Sequence, residues 1–204
     1  MNYSKDGSLK IRKKDRYIFI KMMKRINVVG TSASGKTTFS RKLAERLNLT
    51  HIELDNLLWL DDWQETPDFE FFQKIEQAIA FADMDPTKQG YVIDGNYSRT
   101  THLTWKASDT VIWLDLPFYL NLFQSLHRAF GRALSQKPFW ENSNNTESFS
   151  RMFTRDSIVL WMIKTYKKNR KKYIDKMNDP QFAHVQFIHI TTRKQMRQFL
   201  ENLK

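Results

Sequence analysis

The chain has 204 residues, 41% of them hydrophobic, and its 33 Lys and Arg against 22 Asp and Glu give a formal charge of +11. That length and composition suit one α/β domain with a sizeable core and exclude wholesale disorder. The absence of cysteine excludes disulfides, thiolate metal sites and a cysteine nucleophile and fits a cytoplasmic protein, and no apolar run is long enough to be a signal-peptide core or to span a bilayer.

Residues 1–24 carry Lys5, Lys10, Arg12, Lys13, Lys14, Arg16, Lys21 and Lys24 against Asp6 and Asp15, without sustained periodicity. They read as a flexible basic arm, or as an over-long start with Met23 as first residue, ahead of one domain over 25–204. Arg25–Gly30 is a short β-branched run ending in glycine, the pattern of a buried parallel strand. Phe39, Leu43 and Leu47, four apart, predict a helix from Lys36 to Leu47. His51–Asp55 reads as a second strand, ending on a carboxylate. Phe69, Phe72, Ile75, Ile79 and Ala82 mark the next helix, closed by Asp85-Pro86. Tyr91–Asp94 and Thr110–Leu116 are further strands. Leu122, Leu126, Phe130 and Ala133 give a helix, and a polar stretch around Ser135–Ser148 interrupts the order. Met152, Val159, Tyr166 and Tyr173, seven apart, predict a long helix. Val185–Ile190 is a fifth strand, and Met196, Phe199, Leu200 and Leu203 mark a last helix. Strands alternating with helices predict a mainly parallel sheet covered on both faces.

The strongest chemical signal is Gly30-Thr31-Ser32-Ala33-Ser34-Gly35-Lys36-Thr37, a P-loop with the required strand before it and helix after it. Glycines at its two ends let successive N–H groups turn inward on a phosphate, and the helix adds its positive dipole end. The expected phosphate-binding set is Gly30, Ser32, Ala33, Ser34, Gly35, Lys36, Thr37 and Thr38. Lys36 would reach the β- and γ-phosphates of ATP, and the Thr37 hydroxyl would ligate Mg²⁺.

Asp55 and Asp94 both close predicted strands, where a carboxylate faces the ligand crevice of a parallel sheet. One is expected to orient the Mg²⁺ shell and the other to hold or deprotonate an acceptor hydroxyl. Capping of the following turn is the alternative for either. Asp115 could also see Mg²⁺, although fixing its loop is the plainer role. Arg128 and Arg132, four apart on one helix face, suit phosphates that gain charge during transfer, against the bland reading of a solvated helix face. Trp59 and Trp63 suit stacking on a flat substrate as well as packing. His51, His127, His184 and His189 share no metal spacing and read as structural, and no serine has triad partners. A second basic cluster, Lys164, Lys167, Lys168, Arg170, Lys171, Lys172 and Lys176, allows nucleic acid as a weakly supported partner. A solvated helix face is the plainer reading of it.

Asp94-Gly95-Asn96-Tyr97-Ser98-Arg99 and Val111-Ile112-Trp113-Leu114-Asp115-Leu116-Pro117 resemble segments of adenylate kinases and related small P-loop kinases. His51–Trp59, the Asp94–Tyr97 element and Asp156–Trp161 resemble the DNA topology modulation protein family, adenylate-kinase-like P-loop proteins, over roughly Lys24 to the C-terminus. The resemblance implies a three-layer α/β P-loop fold, with five parallel strands in the order 2-3-1-4-5. It also implies a helical lid over about 132–155, flanked by Arg128 and Arg132. It assigns Asp94 to the metal and Asp55 to the acceptor. Asn145-Thr146-Glu147 has threonine where the family often carries an arginine, which leaves Arg128, Arg132, Arg151 or Arg155 to supply that charge. The implied function is adenylate-kinase-like, ATP- and Mg²⁺-dependent phosphoryl transfer to a small-molecule acceptor, nucleotide-like or not, and departures from the adenylate kinase pattern put AMP itself in doubt. A nucleotide-binding regulator linked to DNA topology and a simple NTPase are the alternatives. No membrane partner is implied.

Overall fold

In the computed structural model the described residues are 23–135, 144–146 and 157–203. The expected arm up to residue 22, most of the expected lid, and Arg151 and Arg155 lie outside them. Five strands, β1 (Arg25–Gly30), β2 (Thr50–Glu53), β3 (Tyr91–Asp94), β4 (Thr110–Leu114) and β5 (Gln186–Ile190), pair in parallel in the order β2-β3-β1-β4-β5. Seven α-helices are described: α1 (Lys36–Leu47), α2 (Leu54–Leu58), α3 (Asp68–Met84), α4 (Thr101–Thr104), α5 (Phe118–Ser135), α6 (Ile158–Met177) and α7 (Arg193–Glu201). Among the described residues no helix is long and apolar enough to cross a membrane.

Period-two alternation sends each strand's side chains to two separate cores. Ile26, Val28, Val92, Ile112, Leu114 and Ile188 pack with Phe39, Leu43 and Leu200 of α1 and α7. On the opposite face Ile52, Tyr91 and Ile93 meet Leu58, Phe71 and Ile75, while Val29, Val111 and Trp113 meet Trp105 and Tyr173. The result is a three-layer α/β domain. β1, β3 and β4, covered on both sides, read as continuous apolar runs for that reason.

Four details depart from the sequence reading. Met23 is buried in the core and the Lys24 carbonyl accepts from the Tyr91 N–H at 2.8 Å, so both belong to the domain rather than to an arm. β2 stops at Glu53, and Asp55 sits in α2, because Leu54, Leu57 and Leu58 bury at helical spacing beneath α3. Phe69 is exposed on α3, whose inward residues are Phe71, Ile75 and Ala82. On α5, Leu126 and Phe130 lie exposed while Asn121, Ser125 and Ala129 face inward. The apolar spacing there marks the outer face.

Candidate nucleotide-binding site

The loop after β1 is shaped by close contacts and by left-handed backbone. A Cβ on Gly30 would stand 2.6 Å from the Leu114 carbonyl oxygen and 2.8 Å from Ser34 Oγ, so a side chain there must displace backbone. Ala33 and Gly35 take φ of 63° and 86°, the latter as the residue that opens α1. No side chain caps α1 and no acid stands in its first turn. Its first N–H groups and positive dipole end therefore remain available to an anion. The Ser34 N–H donates to the Thr31 carbonyl at 3.1 Å, closing the turn. Thr38, the last of the expected set, is exposed on α1.

Lys36 lies at the centre of the charges. Its Nζ donates to the Thr31 carbonyl at 3.3 Å. Burial pushes its pKa down, Asp94 and Asp55 oppose that shift, and Arg128 adds to it. A polyanion above the loop would hold this ammonium charged. Arg128 does reach the loop: its Nη2 donates to Ser32 Oγ at 3.1 Å. Arg132 bears on Glu53. α5 thus brings both expected arginines to this end of the sheet.

Asp94, at the end of β3, is 3% exposed. Burial raises its carboxyl pKa to about 6, opposed by Lys36 and by a hydrogen bond from Thr37. Its Oδ1 has no hydrogen-bond partner, and neither has the buried Ser34 Oγ. An orphaned carboxylate oxygen beside a threonine hydroxyl suits Mg²⁺. That ion takes few protein oxygens and completes its shell with water and substrate phosphates. Among the described residues no three His, Cys, Asp or Glu side chains form a metal cage.

Asp55 comes to the same region from α2. Tyr97 donates to its Oδ1 at 2.5 Å, and Asp55 and Asp94 both act on Lys36. Asp115 turns elsewhere, with Arg170 Nε and His189 Nε2 each 3.0 Å from Oδ2, and ties the loop after β4 to α6 and β5. Trp59 and Trp63 meet edge to face with ring centroids 5.8 Å apart. Their connecting turn has left-handed backbone at Asp62 (φ 55°) and Trp63 (φ 59°). Side chains from the expected lid hold it: the Asp62 and Trp63 N–H groups donate to Asn144 Oδ1 and Asn145 Oδ1 at 2.9 and 2.6 Å. His51 Nε2, 4.0 Å from Asp94 Oδ2, is buried without a hydrogen bond. Desolvation lowers its pKa to about 4, so the ring is neutral.

Sequence reasoning missed Tyr97, Asn144 and the role of Asn96. Asn96 Nδ2 donates to the Gly30 carbonyl at 2.9 Å and to the Tyr173 hydroxyl at 2.6 Å. For Asn96 and Tyr97 the signal was their place directly after the strand-end acid Asp94, where side chains meet the crevice, whereas Asn144 offered none.

No protein family model matches the chain. It is 27% identical over 112 residues to the uncharacterized protein YqaC of Bacillus subtilis (strain 168), across 54% of this chain and 60% of that protein. The matched region therefore spans less than two thirds of that relative. Solved structures with a similar course include shikimate kinase from Acinetobacter baumannii in complex with shikimate (TM-score 0.48, 14% identity, 94% of each chain). A gluconokinase from Sinorhizobium meliloti 1021 (0.48, 13%, 88% of this chain and 89% of that one) is another. A third is an unliganded sugar kinase from Janibacter sp. HTCC2649 (0.46, 16%, 89% and 90%). At these values the likeness says nothing of what this chain acts on.

Proposed function

We propose that the chain is an ATP- and Mg²⁺-dependent phosphotransferase with a small-molecule acceptor. The observation that carries this reading is the convergence of half-buried Lys36, the open N-terminus of α1 and the unpartnered Asp94 Oδ1 at the C-terminal edge of a parallel sheet. Mg²⁺, bound beside Thr37 and Asp94, would offset phosphate charge. The N–H groups of Gly30–Thr37 cradle the β- and γ-phosphates, and Lys36 supplies the opposing charge. Arg128, anchored on Ser32, and Arg132 stabilise the charge that grows on the transferring group. Asp55, oriented by Tyr97, accepts the acceptor hydroxyl's proton as that oxygen bonds phosphorus and the bond to the ADP oxygen breaks.

The test has two parts. ATP–Mg²⁺ should raise the melting temperature of the protein but not of Lys36→Ala, since the phosphates lose their counter-charge. ATP turnover against a panel of hydroxylated metabolites, nucleosides and nucleotides should then show transfer to one of them. Turnover with water alone would make the protein an NTPase, and equal stabilisation of both forms would remove the phosphate loop from the mechanism.

A further inference from the structure

α5 and α6 are neighbours. Phe118 meets Tyr166 edge to face with ring centroids 5.2 Å apart, and the Tyr166 hydroxyl donates to the Leu116 carbonyl at 3.0 Å. Asn121, Ser125 and Ala129 of α5 and Val159, Met162 and Tyr173 of α6 are buried. The outward sides of both helices carry large apolar groups. Tyr119, Phe123 and Leu126, spaced four and three apart, form one exposed stripe on α5, with Phe123 66% exposed. Leu160 and Trp161 stand exposed in the first turn of α6, Trp161 at 62%. So many large apolar side chains on two adjoining helices amount to a patch, which marks an interaction surface where scattered ones would not.

The charge beside this patch has one sign. From Trp161 the outward side of α6 continues through Lys164, Lys168 and Lys171 at spacings of three and four, with Lys167 alongside. All four lysines are exposed, and no ion pair engages them among the described residues. Asp175 is the one carboxylate in the sequences of the two helices. A second copy of the chain would set these lysines against their own counterparts. Nucleic acid would meet the lysines with phosphate but offers no hydrocarbon to Leu126 and Leu160. An anionic bilayer surface supplies both, with charge at the headgroups, acyl chains beneath them, and between the two the boundary where Trp and Tyr settle. Lying on that surface needs no spanning helix, and the described residues contain none.

We infer that the outward faces of α5 and α6 are a docking surface for an anionic phospholipid bilayer. The aromatic and leucine side chains enter the boundary between headgroups and acyl chains, while Lys164, Lys167, Lys168 and Lys171 meet the headgroups. This stands apart from the phosphotransfer reading and does not depend on it. The full chain is sedimented with vesicles of phosphatidylcholine alone or of an equimolar mixture with phosphatidylglycerol. It should bind the mixed vesicles at least about tenfold more tightly, and salt at about 0.5 M should remove most of that preference. Trp161→Ser and the double variant K164Q/K168Q alter exposed groups, so both should keep the parent melting temperature. Each should weaken binding to the mixed vesicles at least about fivefold. If Trp161→Ser melts early, the lysine variant alone decides. No binding, equal binding to the two kinds of vesicle, or binding that the variants leave intact overturns the inference. A dimer in light scattering that Trp161→Ser dissolves would overturn it in favour of a second copy. Tighter binding to a single-stranded DNA oligonucleotide than to the mixed vesicles would overturn it in favour of nucleic acid.

Discussion

The Asp94 carboxyl sits at a pKa of about 6 because burial disfavours its charge more than Lys36 and Thr37 restore it. A folded value above the unfolded one means that the native protein binds the proton more tightly. Its contribution to stability is therefore fully present below about pH 4 and is lost as pH rises through about 6. Asp94→Asn removes that loss. At pH 7 the unliganded variant should be more stable by up to about 3 kcal/mol, at about 1.4 kcal/mol per pKa unit, and the advantage should fade by pH 4. Melting curves of both proteins across pH 4–8 check this. The same variant should lose the Mg²⁺ dependence of ATP binding. His51 runs the other way: its lowered pKa makes it cost stability as pH falls from about 6.5 toward 4. Only the difference between variant and parent therefore isolates Asp94. Asp55→Asn should bind ATP–Mg²⁺ normally yet lose transfer by about two to four orders of magnitude, with hydrolysis by water persisting. Matching losses of Mg²⁺ affinity in both variants would show that both acids serve the metal.

The α5 helix shows where an element can be found correctly and faced wrongly. Its apolar spacing identifies a helix, but the stripe through Leu126 points outward, and Asn121 and Ser125 are fully buried. Asn121 donates to the Leu116 carbonyl at 3.1 Å, which turns the chain out of β4 into the helix. Polar residues chosen for close approach look like surface residues in a sequence. Leu126→Ser should therefore change stability by no more than about 0.5 kcal/mol. Ser125→Leu should cost about 1–3 kcal/mol by overfilling a packed contact. Chemical denaturation of the two variants reads both, and the opposite order would restore the inward stripe. β2 fails in another way. A four-residue strand followed at once by a buried helical triplet offers no turn residue to separate the two periods, so Asp55 is legible as a candidate acid but not as a helical residue. The Gly30–Thr37 motif was legible as a candidate phosphate loop because it depends on local backbone geometry, and the structure gives left-handed backbone at Ala33 and Gly35.

At the scale of the molecule, the strand order follows from alternation and resemblance, whereas the site depends on partners far apart in sequence. Trp63 meets Asn145 across 82 positions and Asn96 meets Tyr173 across 77, and nothing in a single chain pairs them. The basic total likewise hides a strongly acidic segment between Glu53 and Asp68, so net charge alone is a poor guide to the partner. The Asn96 joint has a mechanical consequence. One amide grips the Gly30 carbonyl and the Tyr173 hydroxyl, so α6, which follows the expected lid, is pinned to the phosphate loop at a fulcrum. From Tyr173 back to Ile158 the helix forms a lever arm of roughly 22 Å, at 1.5 Å per residue. Loads on its far end reach Gly30 as torque. Tyr173→Phe unhooks the lever while keeping the ring. Amide hydrogen exchange over Gly30–Ser34 should then speed up several-fold with little change in melting temperature, and an unchanged exchange rate would show that the loop is held without it.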